Sequence, residues 1–483
     1  MSAAEAARPP TERSAFELAR AIRTRELSAR EVVDAHIALL ELAAPRINAI
    51  AMDRFDSARS EADAVDRRIA GASDGGVPPP LLGVPFTVKE SIAVRGMPSS
   101  AGLVARREHR SSANAPVVQR LLDAGAIPVG VTNTSELTLW IESYNPLYGR
   151  TSNAYDPTRT AGGSSGGEGA AVGSGGSPFG LASDIAGSIR IPAQFNGVFG
   201  HKPSTGLVPN TGMYPPSDGA AGRMLGVGPL ARRAEDLMPV LRLIAGPDGI
   251  DPFAREVALG DPAHVSIEGL SLVTVEDSAV MPLSRELRDA RERAVGALIA
   301  SGARIRRVTL RSWRKAVRPY VTTLQAGSSG STSSLIVEAG DQEPTWRTLL
   351  SRRVPYTLPV RLALAVGMLP ESTDSALHDR LLDDGRRLAE ELIDAIGDGV
   401  LLHPAHPRVA PRHGRTVGRL WLITPAAVFN LAGVPVTQVP LGFSDGGLPV
   451  GVQVAAGINN DHVSIAVALA LERVFGGWVP PRR

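Results

Sequence analysis

Lys89 and a Gly/Ser-rich segment are the parts of this sequence whose residue types and spacing are best suited to chemistry. Of the 51 Lys and Arg residues in the 483-residue chain, three are lysines: Lys89, Lys202 and Lys315. The segment covers residues 158–188 and includes the runs Gly162-Gly163-Ser164-Ser165-Gly166-Gly167 and Ser183-Asp184-Ile185-Ala186-Gly187-Ser188. Glycine and serine also make flexible linkers, but such patterned serines are not typical of one. The segment therefore predicts a functional site.

Two chemistries that use Gly-rich segments are disfavoured here. A phosphate-binding loop needs a lysine and a Ser or Thr at its end, or a G-x-G-x-x-G between a strand and a helix. No lysine lies between Lys89 and Lys202, and residues 156–160 are not an apolar strand pattern. A nucleophile elbow at Ser164 satisfies G-x-S-x-G, but that motif also needs a hydrophobic strand that leads into the serine.

The third chemistry is a serine nucleophile activated by a lysine. A serine hydroxyl is a poor nucleophile until a base removes its proton. The sequence has no cysteine and the motif has no histidine, so the base must come from elsewhere. Lysine can be a base only where burial lowers its pKa from about 10.4, whereas arginine stays protonated. Lys89 follows the apolar run 83–88, so it is either such a base or a strand-end lysine with a solvated head.

Composition excludes several classes of protein. With 43% hydrophobic residues the chain can bury a large core, and its net charge is only +2. Cationic clusters such as Arg306-Arg307 are short, so no nucleic-acid partner is predicted. The absence of cysteine excludes disulfides and thiolate chemistry. Because His403, His406 and His413 lack the spacing of a ligand set, we predict neither a metal nor a cofactor.

The sequence contains no pattern that predicts a membrane span. No apolar run approaches the roughly 18–20 residues that a span requires. Residues 1–13 are polar and lack the apolar core of a signal peptide. We therefore expect a cytoplasmic protein.

Strand and helix patterns alternate along the chain, which predicts an α/β layer structure. Strands are predicted at residues 83–88, 127–131, 270–275, 304–310, 400–403, 434–440 and 450–455. Helices are predicted at residues 28–42, 115–124, 284–301, 372–396 and 462–475. Residues 14–70 read as helical, with Ser28 and Glu31 spaced as a capping box. The Gly/Ser-rich residues 326–334 are predicted to form a loop.

Several motifs in sequence order resemble the amidase signature family of serine hydrolases. They are Gly83-Val84-Pro85-Phe86-Thr87-Val88-Lys89-Glu90, then residues 162–167, 183–192 and 200–204, and finally residues 430–435 and 447–453. The resemblance covers almost the whole chain. The sequence Gly167-Glu168-Gly169 resembles most the fatty acid amide hydrolase branch of the family and its bacterial amidase and urethanase relatives.

The resemblance implies one large α/β domain over residues 1–483. In it, a central twisted mixed β-sheet is covered on both sides by helices. Residues 60–260 would form the catalytic core with the Ser/Gly-rich segment. Residues 310–370, where members of the family vary, would form a cap-like insertion over the site.

The resemblance also implies a Ser-Ser-Lys triad. Ser188 matches the family nucleophile, Ser164 matches the serine that follows a cis peptide bond after Gly163, and Lys89 matches the base. Lys89 would take a proton through Ser164 from Ser188, and water would hydrolyse the acyl-enzyme. Four backbone N–H groups would form the oxyanion hole, those of Ile185, Ala186, Gly187 and Ser188.

Supporting and substrate-binding residues follow from the same motifs. Ser165 is expected either to hydrogen-bond the lysine network or to stabilise a turn, and Asp184 and Arg190 to hold the loop. Ala186 stands where the family often has glycine, so we expect an altered rate or substrate fit. Four residues fall where relatives line the acyl channel, or belong to ordinary core: Thr138, Leu139, Trp140 and Ile141.

The predicted function is hydrolysis of amide C–N bonds, with carbamates (urethanase activity) and esters as further candidate substrates. The partner is then a small-molecule amide or carbamate, and either a monomer or a homodimer fits. Three alternatives stay open. One is a glutamine-hydrolysing subunit of an amidotransferase, and another is an α/β-hydrolase-type esterase with Ser164 as nucleophile. The third, a binding protein without catalysis, is disfavoured by the intact set of Lys89, Ser164 and Ser188.

Overall fold

A mixed β-sheet of eleven strands runs through the computed structural model of the chain, which describes residues 8–71, 77–276, 282–310, 312–326, 331–351, 354–368 and 375–482. The order of strands across the sheet is β1-β3-β2-β6-β8-β7-β12-β13-β11-β9-β10. They are β1 (Ile50–Asp53), β2 (Pro85–Lys89), β3 (Ile127–Thr132), β6 (Phe179–Asp184), β7 (Phe199–Lys202), β8 (Gly226–Ala231), β9 (Ser271–Val275), β10 (Arg304–Val308), β11 (Val400–His403), β12 (Val436–Phe443) and β13 (Pro449–Ala456). A separate hairpin joins β4 (Tyr144–Asn145) to β5 (Gly149–Arg150).

Helices connect and cover the strands. In the described residues they are α1 (Ala15–Arg23), α2 (Ala29–Ile47), α3 (Phe55–Gly71), α4 (Pro116–Asp123), α5 (Gly166–Gly173), α6 (Arg190–Phe195), α7 (Gly219–Met224), α8 (Leu237–Ile244), α9 (Arg285–Ala300), α10 (Val317–Gln325), α11 (Thr332–Glu338), α12 (Trp346–Leu350), α13 (Leu358–Gly367), α14 (Ser375–Ile396), α15 (Thr424–Leu431) and α16 (Asp461–Phe475). The capping box predicted for α2 is confirmed, because Ser28 Oγ accepts from Glu31 N and the Glu31 carboxylate accepts from Ser28 N.

Both faces of the central strands of the sheet are buried, whereas the edge strand β10 is largely exposed. In β11, Val400 and Leu402 belong to one apolar cluster and Leu401 belongs to another, as the alternation of side chains along a strand requires. The first cluster includes Leu287 of α9, and the second includes Leu388 of α14. The chain is thus a single α/β domain whose sheet is flanked by helices, which confirms the predicted fold class.

Strong hydrophobic patterns predicted their elements well, whereas small-residue strands were missed. The predicted strand at 400–403 is confirmed residue for residue, and the other predicted strands lie within a few residues of their observed bounds. The strand β1 interrupts the region predicted to be helical. The central strands β6 and β8, with sequences Phe-Gly-Leu-Ala-Ser-Asp and Gly-Val-Gly-Pro-Leu-Ala, were not predicted because glycine and proline weaken the strand pattern.

The loop predicted at residues 326–334 is partly wrong. Ser331 Oγ accepts from Ser334 N and caps α11, so a helix begins inside the predicted loop. Residues 327–330 of that prediction lie outside the described residues, as do residues 372–374 of the predicted helix 372–396.

Three parallel strands deliver the polar residues of the sequence motifs to one edge of the sheet. The strands β3, β2 and β6 are neighbours and run parallel, with Lys89 opposite Thr132 and Val88 opposite Leu181. Parallel strands present their carboxyl ends at the same edge, where ligands bind in many α/β proteins. Lys89 and Asp184, the last residues of β2 and β6, therefore lie at the same edge.

In the described part of the chain, no helix combines the length and the apolar character that crossing a membrane requires.

Candidate active site

Lys89 lies fully buried within hydrogen-bond distance of two serine hydroxyls. Its Nζ donates to Ser164 Oγ at 2.7 Å and to Ser183 Oγ at 2.9 Å. Ser164 comes from the Gly/Ser-rich segment, and Ser183 comes from the parallel strand β6 beside β2. The structure thus joins Lys89 and Ser164, which the sequence motifs suggested. It adds Ser183, the first residue of the motif 183–192, for which no role was predicted.

Hydrogen bonds to its carbonyl hold Ser164 in place. The peptide bond between Gly163 and Ser164 is cis. The Ser164 carbonyl accepts from Ser143 Oγ at 2.8 Å, from Thr134 Oγ1 at 2.9 Å and from Ser135 N at 3.2 Å. A Cβ on Gly163 would come within 2.6–2.8 Å of backbone atoms of residues 140–142, so only glycine fits there. The backbone that carries the Ser164 hydroxyl is therefore held in place beside Lys89 Nζ.

Burial makes the Lys89 amine easier to deprotonate. Desolvation is the largest influence and lowers the pKa of Lys89 to about 7, because a buried ammonium loses the hydration that stabilises its charge. The nearby carboxylates of Asp184, Glu168 and Glu90 act in the opposite direction and raise the pKa. On balance burial favours the neutral amine far more than it is favoured in a solvated lysine.

Ser188 lies in the turn between β6 and α6, and an internal ion pair builds that turn. Asp184 accepts from Gly187 N at 2.7 Å and from Ile189 N at 3.1 Å, and it pairs with Arg190 at 2.9 Å. Both side chains of the pair are fully buried. The Arg190 guanidinium and these hydrogen bonds hold the pKa of Asp184 below its usual range, against the effect of burial. The expectation that Asp184 and Arg190 hold the loop agrees with these contacts.

Two further side chains complete the support of Arg190. Its guanidinium donates to Gln453 Oε1 at 2.8 Å and to Asn430 Oδ1 at 2.6 Å. Asn430 returns a hydrogen bond to the Asp184 carbonyl at 2.9 Å. Asn430 lies in the motif 430–435 and Gln453 in the motif 447–453. Their membership of these motifs could have assigned them to the site.

The turn directs most of its backbone N–H groups away from protein acceptors. Within the described residues, the N–H groups of Ile185, Ala186 and Ser188 have no acceptor in the protein. The fourth predicted donor, Gly187 N, is already bonded to Asp184 Oδ1. Gly187 has φ +109°, and a Cβ there would meet Ala426 and Ile191 at 2.6 and 2.9 Å, so the turn requires glycine.

An apolar cluster borders the turn. It contains Ile185 and Ala186 together with Trp140, Ile141 and Tyr320. Of the four residues predicted to bind substrate, Trp140 and Ile141 thus lie in the cluster of the turn. Thr138 is half-buried with φ +58°, and Leu139 is 43% exposed.

Among the described residues, hydrogen bonds join the region predicted to be a cap to the site. Tyr320 of α10 is buried, and its hydroxyl donates to the Ile185 carbonyl at 2.8 Å. Further along, Thr357 N donates at 2.6 Å to Glu136, which begins the short 3-10 turn Glu136–Thr138. The sequence predicted neither contact, because no local pattern shows that distant segments meet.

The other predicted residues have structural contacts. Ser165 Oγ donates to the Ser183 carbonyl at 3.3 Å. It therefore contacts the end of β6, which leads into the turn, and not Lys89 Nζ. The histidines His403, His406 and His413 contact the backbone carbonyls of Pro404, Arg408 and Pro157. In the described residues, no group of three or more His, Asp or Glu side chains could hold a metal ion.

Comparison with known proteins identifies the family. A family model described as Amidase matches residues 31–463, most of the chain. The chain therefore belongs to the amidase signature family, as the motifs indicated, and it is an amide hydrolase. The Ser-Ser-Lys triad is the mechanism of this family.

Named relatives agree with this assignment. Fatty-acid amide hydrolase 2 of Homo sapiens is 40% identical, over 99% of this chain and 93% of the relative. An acylamidase of Rhodococcus erythropolis is 30% identical, over 95% of each. The solved structure of 6-aminohexanoate cyclic dimer hydrolase with its substrate superposes with a TM-score of 0.82 at 25% identity, covering 96% of this chain and 97% of that one.

The two alternative enzyme functions, an amidotransferase subunit and an α/β-hydrolase-type esterase, are not favoured. An esterase elbow at Ser164 would need a strand leading into the serine. Instead, Ser152 and Thr160 form an isolated bridge, and Ser164 is followed almost at once by α5.

The buried pair predicts a large effect on stability. We expect Arg190→Leu to lower the free energy of unfolding by about 3–5 kcal/mol, because Asp184 would stay buried without its cation. Arg159→Leu is the matched control: Arg159 pairs with Asp156 at 3.1 Å, but both side chains are partly exposed. Loss of the Arg159–Asp156 pair should lower the free energy of unfolding by about 1 kcal/mol or less. Urea unfolding of both variants measures the difference, and equal losses would contradict this assignment.

Proposed function

We propose that this amide hydrolase works through Ser188 as nucleophile, Ser164 as proton relay and Lys89 as base. The observation that carries the proposal is the 2.7 Å hydrogen bond between the buried Lys89 Nζ and Ser164 Oγ. A neutral amine accepts a proton, and a serine hydroxyl can pass one on while accepting another. Ser188 lies in the turn that directly follows β6, the strand that carries Ser183. This position is consistent with a nucleophile at the same end of the strands as Lys89.

In the proposed acylation, Ser188 Oγ attacks the carbonyl carbon of the substrate amide. Its proton passes to Ser164 Oγ as the proton of Ser164 passes to Lys89 Nζ. The tetrahedral intermediate collapses when the C–N bond breaks, and Lys89 returns its proton through Ser164 to the leaving nitrogen. The products are an acyl ester on Ser188 and the free amine, so no net proton is gained or lost.

Deacylation would repeat the sequence with water in place of the amine. Lys89 and Ser164 take a proton from water as it attacks the acyl ester, and Ser188 leaves with that proton. In both steps negative charge develops on the substrate carbonyl oxygen. The N–H groups of Ile185, Ala186 and Ser188 are the donors that we assign to it, and each key donor is typically worth about 3–4 kcal/mol.

Ala186 adds a methyl group to this hole, at a position where the family pattern often has glycine. Its methyl group is half-buried in the apolar cluster with Ile185 and Tyr320. We propose that the methyl group narrows the space beside the substrate carbonyl and so affects substrate fit.

The substrate that we propose is an amide with an aryl or alkyl acyl group. Trp140 and Ile141 line the apolar cluster beside the turn, while Trp140 Nε1 donates to Thr416 Oγ1 at 2.8 Å and so fixes the indole. An apolar wall of fixed shape favours apolar acyl groups. The names of the relatives, an amide hydrolase of fatty acids and an acylamidase, fit this class. Carbamates present the same carbonyl to the nucleophile, so we propose urethanase activity as a second activity of this site.

We further propose that residues 310–370 cover the site as a cap over a catalytic core of residues 60–260. The two described contacts, Tyr320 with Ile185 and Thr357 with Glu136, support this division. A cap at these points would exclude water from the oxyanion turn and border the acyl group.

The triad predicts distinct outcomes for three variants. Ser188→Ala should abolish formation of the acyl-enzyme, measured by mass spectrometry after reaction with a p-nitrophenyl ester. Lys89→Ala should lower kcat/KM about 10²–10⁴-fold through loss of the base. Lys89→Arg should be as inactive, because a guanidinium stays protonated. The control is Lys315→Ala, which removes an exposed lysine and should leave the rate unchanged. Wild-type activity in Lys89→Arg would exclude a neutral base.

The pH dependence follows from the lowered pKa of Lys89. The protonated amine cannot accept a proton, so kcat/KM should be low in acid and rise with pH to a plateau. The midpoint should lie near the Lys89 pKa of about 7, with a tenfold fall per pH unit well below it. The measurement is a kcat/KM profile on a soluble anilide. A rate independent of pH through this range would contradict the assignment.

Substrate preference can be measured on matched compounds. We expect p-nitroanilides with aryl or medium alkyl acyl groups to react faster than the acetyl compound. Trp140→Ala should remove that preference, lowering kcat/KM about tenfold for the larger groups and less for acetyl, since lost apolar contact costs about 1–3 kcal/mol. A p-nitrophenyl carbamate and a matched ester complete the set. Equal losses for all acyl groups would contradict a role in acyl binding, and no carbamate turnover would exclude urethanase activity.

A further inference from the structure

Glu168 is a fully buried carboxyl that the proposed mechanism does not use. It lies in α5, the helix that begins directly after Ser164 and Ser165. Its Oε1 accepts a hydrogen bond from the Thr87 hydroxyl, and its Oε2 accepts from Thr132 Oγ1 at 2.7 Å. A Cβ on Gly180 would overlap Glu168 Oε1, so the neighbouring strand β6 leaves space for this carboxyl.

The two threonines place this carboxyl beside Lys89. Thr87 and Lys89 are two residues apart on β2, so their side chains leave the same face of the sheet. Thr132 is directly opposite Lys89 in the register of β2 and β3. Both hydroxyls that hold Glu168 therefore flank the lysine, one along its strand and one across from it.

Lys89 is the cation that compensates Glu168. Besides Lys89, the strands and the helix packed against α5 carry three charged side chains: Asp53, Asp184 and Arg190. Asp53 is exposed at the end of β1, and Asp184 and Arg190 pair with each other. Lys89 is accordingly the charged group that acts on Glu168 and lowers its pKa, while burial raises that pKa to about 7.

The other carboxylates near Lys89 have partners of their own. Asp184 is bound to Arg190 and to backbone N–H groups. Glu90 accepts from Ser100 N, from Ala101 N and from the hydroxyls of Ser100 and Tyr148. Glu168 has only two neutral hydroxyls as hydrogen-bond partners among the described residues, so its charge is the least compensated of the three.

We propose that Glu168 is a positioning residue that lies beside Lys89, outside the Ser-Ser-Lys triad, and raises the basicity of its amine. This inference rests on the proposed role of Lys89 as the base. Burial alone would make the amine a weak base, because a desolvated ammonium is unfavourable. A carboxylate held by Thr87 and Thr132 stabilises the ammonium that forms each time Lys89 takes the proton of Ser164. The two buried groups then titrate as a coupled pair.

The test is the acid limb of the kcat/KM profile of Glu168→Gln on a soluble anilide. Without the carboxylate the ammonium is less stable, so the limb should move to lower pH by about one unit or more. The plateau rate should fall about tenfold because a weaker base accepts the proton less readily, and KM should change little. A purely structural role of Glu168 would lower the amount of folded enzyme without moving the midpoint.

Glu472→Gln is the matched control. Glu472 is a largely buried carboxyl, with 16% of its side chain exposed, and burial raises its pKa to about 7. It accepts from Ala234 N at 3.0 Å, far along the chain from Lys89. Its variant should keep the midpoint of the wild type. If Glu168→Gln fails to fold, Thr132→Val and Thr87→Val each keep the carboxyl and remove one donor. Each should move the limb in the same direction by a smaller amount.

The outcomes separate this inference from the proposed function. A wild-type midpoint in folded Glu168→Gln, or in both threonine variants, overturns the role of Glu168. If Lys89→Ala is inactive at the same time, the triad stands and only this inference fails. If Lys89→Ala keeps the wild-type rate and profile, the proposed base is wrong.

Discussion

The rest of the site depends on one requirement, that an amine be held without water within reach of a serine hydroxyl. In water a lysine is protonated at neutral pH and cannot accept a proton. The end of a buried parallel strand removes the water from Lys89, and the neighbouring strand β6 and the Gly/Ser-rich segment supply two serine hydroxyls. The eleven-stranded sheet matters to this chemistry chiefly because its central strands are covered on both faces, so that the end of β2 is buried as well.

The buried amine lies among other buried polar groups, and each of these needs a hydrogen-bond partner. The turn that carries Ser188 is built from backbone N–H groups, which would be costly to bury without acceptors. Asp184 accepts from several of them, and Arg190 balances its charge. Asn430 and Gln453 then satisfy the guanidinium. The polar groups of the turn thus satisfy one another, and the N–H groups without an acceptor among the described residues are those that we propose as the oxyanion hole.

The sequence predicted the elements that follow simple periodicities and the site residues that lie in motifs. Ser28 and Glu31 predicted the start of α2, and the Lys89 and Ser164 motifs predicted a contact that the structure contains. The strand β6 was missed because Gly and Ser replace the usual apolar residues of a buried strand. The contact of Tyr320 with Ile185 was missed for a different reason: it joins residues 135 positions apart, and no local pattern indicates such a contact.

Two of the three lysines of the chain, Lys89 and Lys202, show why burial alone does not make a base. Burial also lowers the pKa of Lys202 to about 7, so both Lys89 and Lys202 hold amines that are easily deprotonated. Lys202 Nζ, however, donates to the Pro203 carbonyl, which has no proton to give. Lys89 Nζ faces serine hydroxyls, which do. Desolvation favours the neutral amine at both positions. The neighbouring group decides whether that amine can take part in proton transfer.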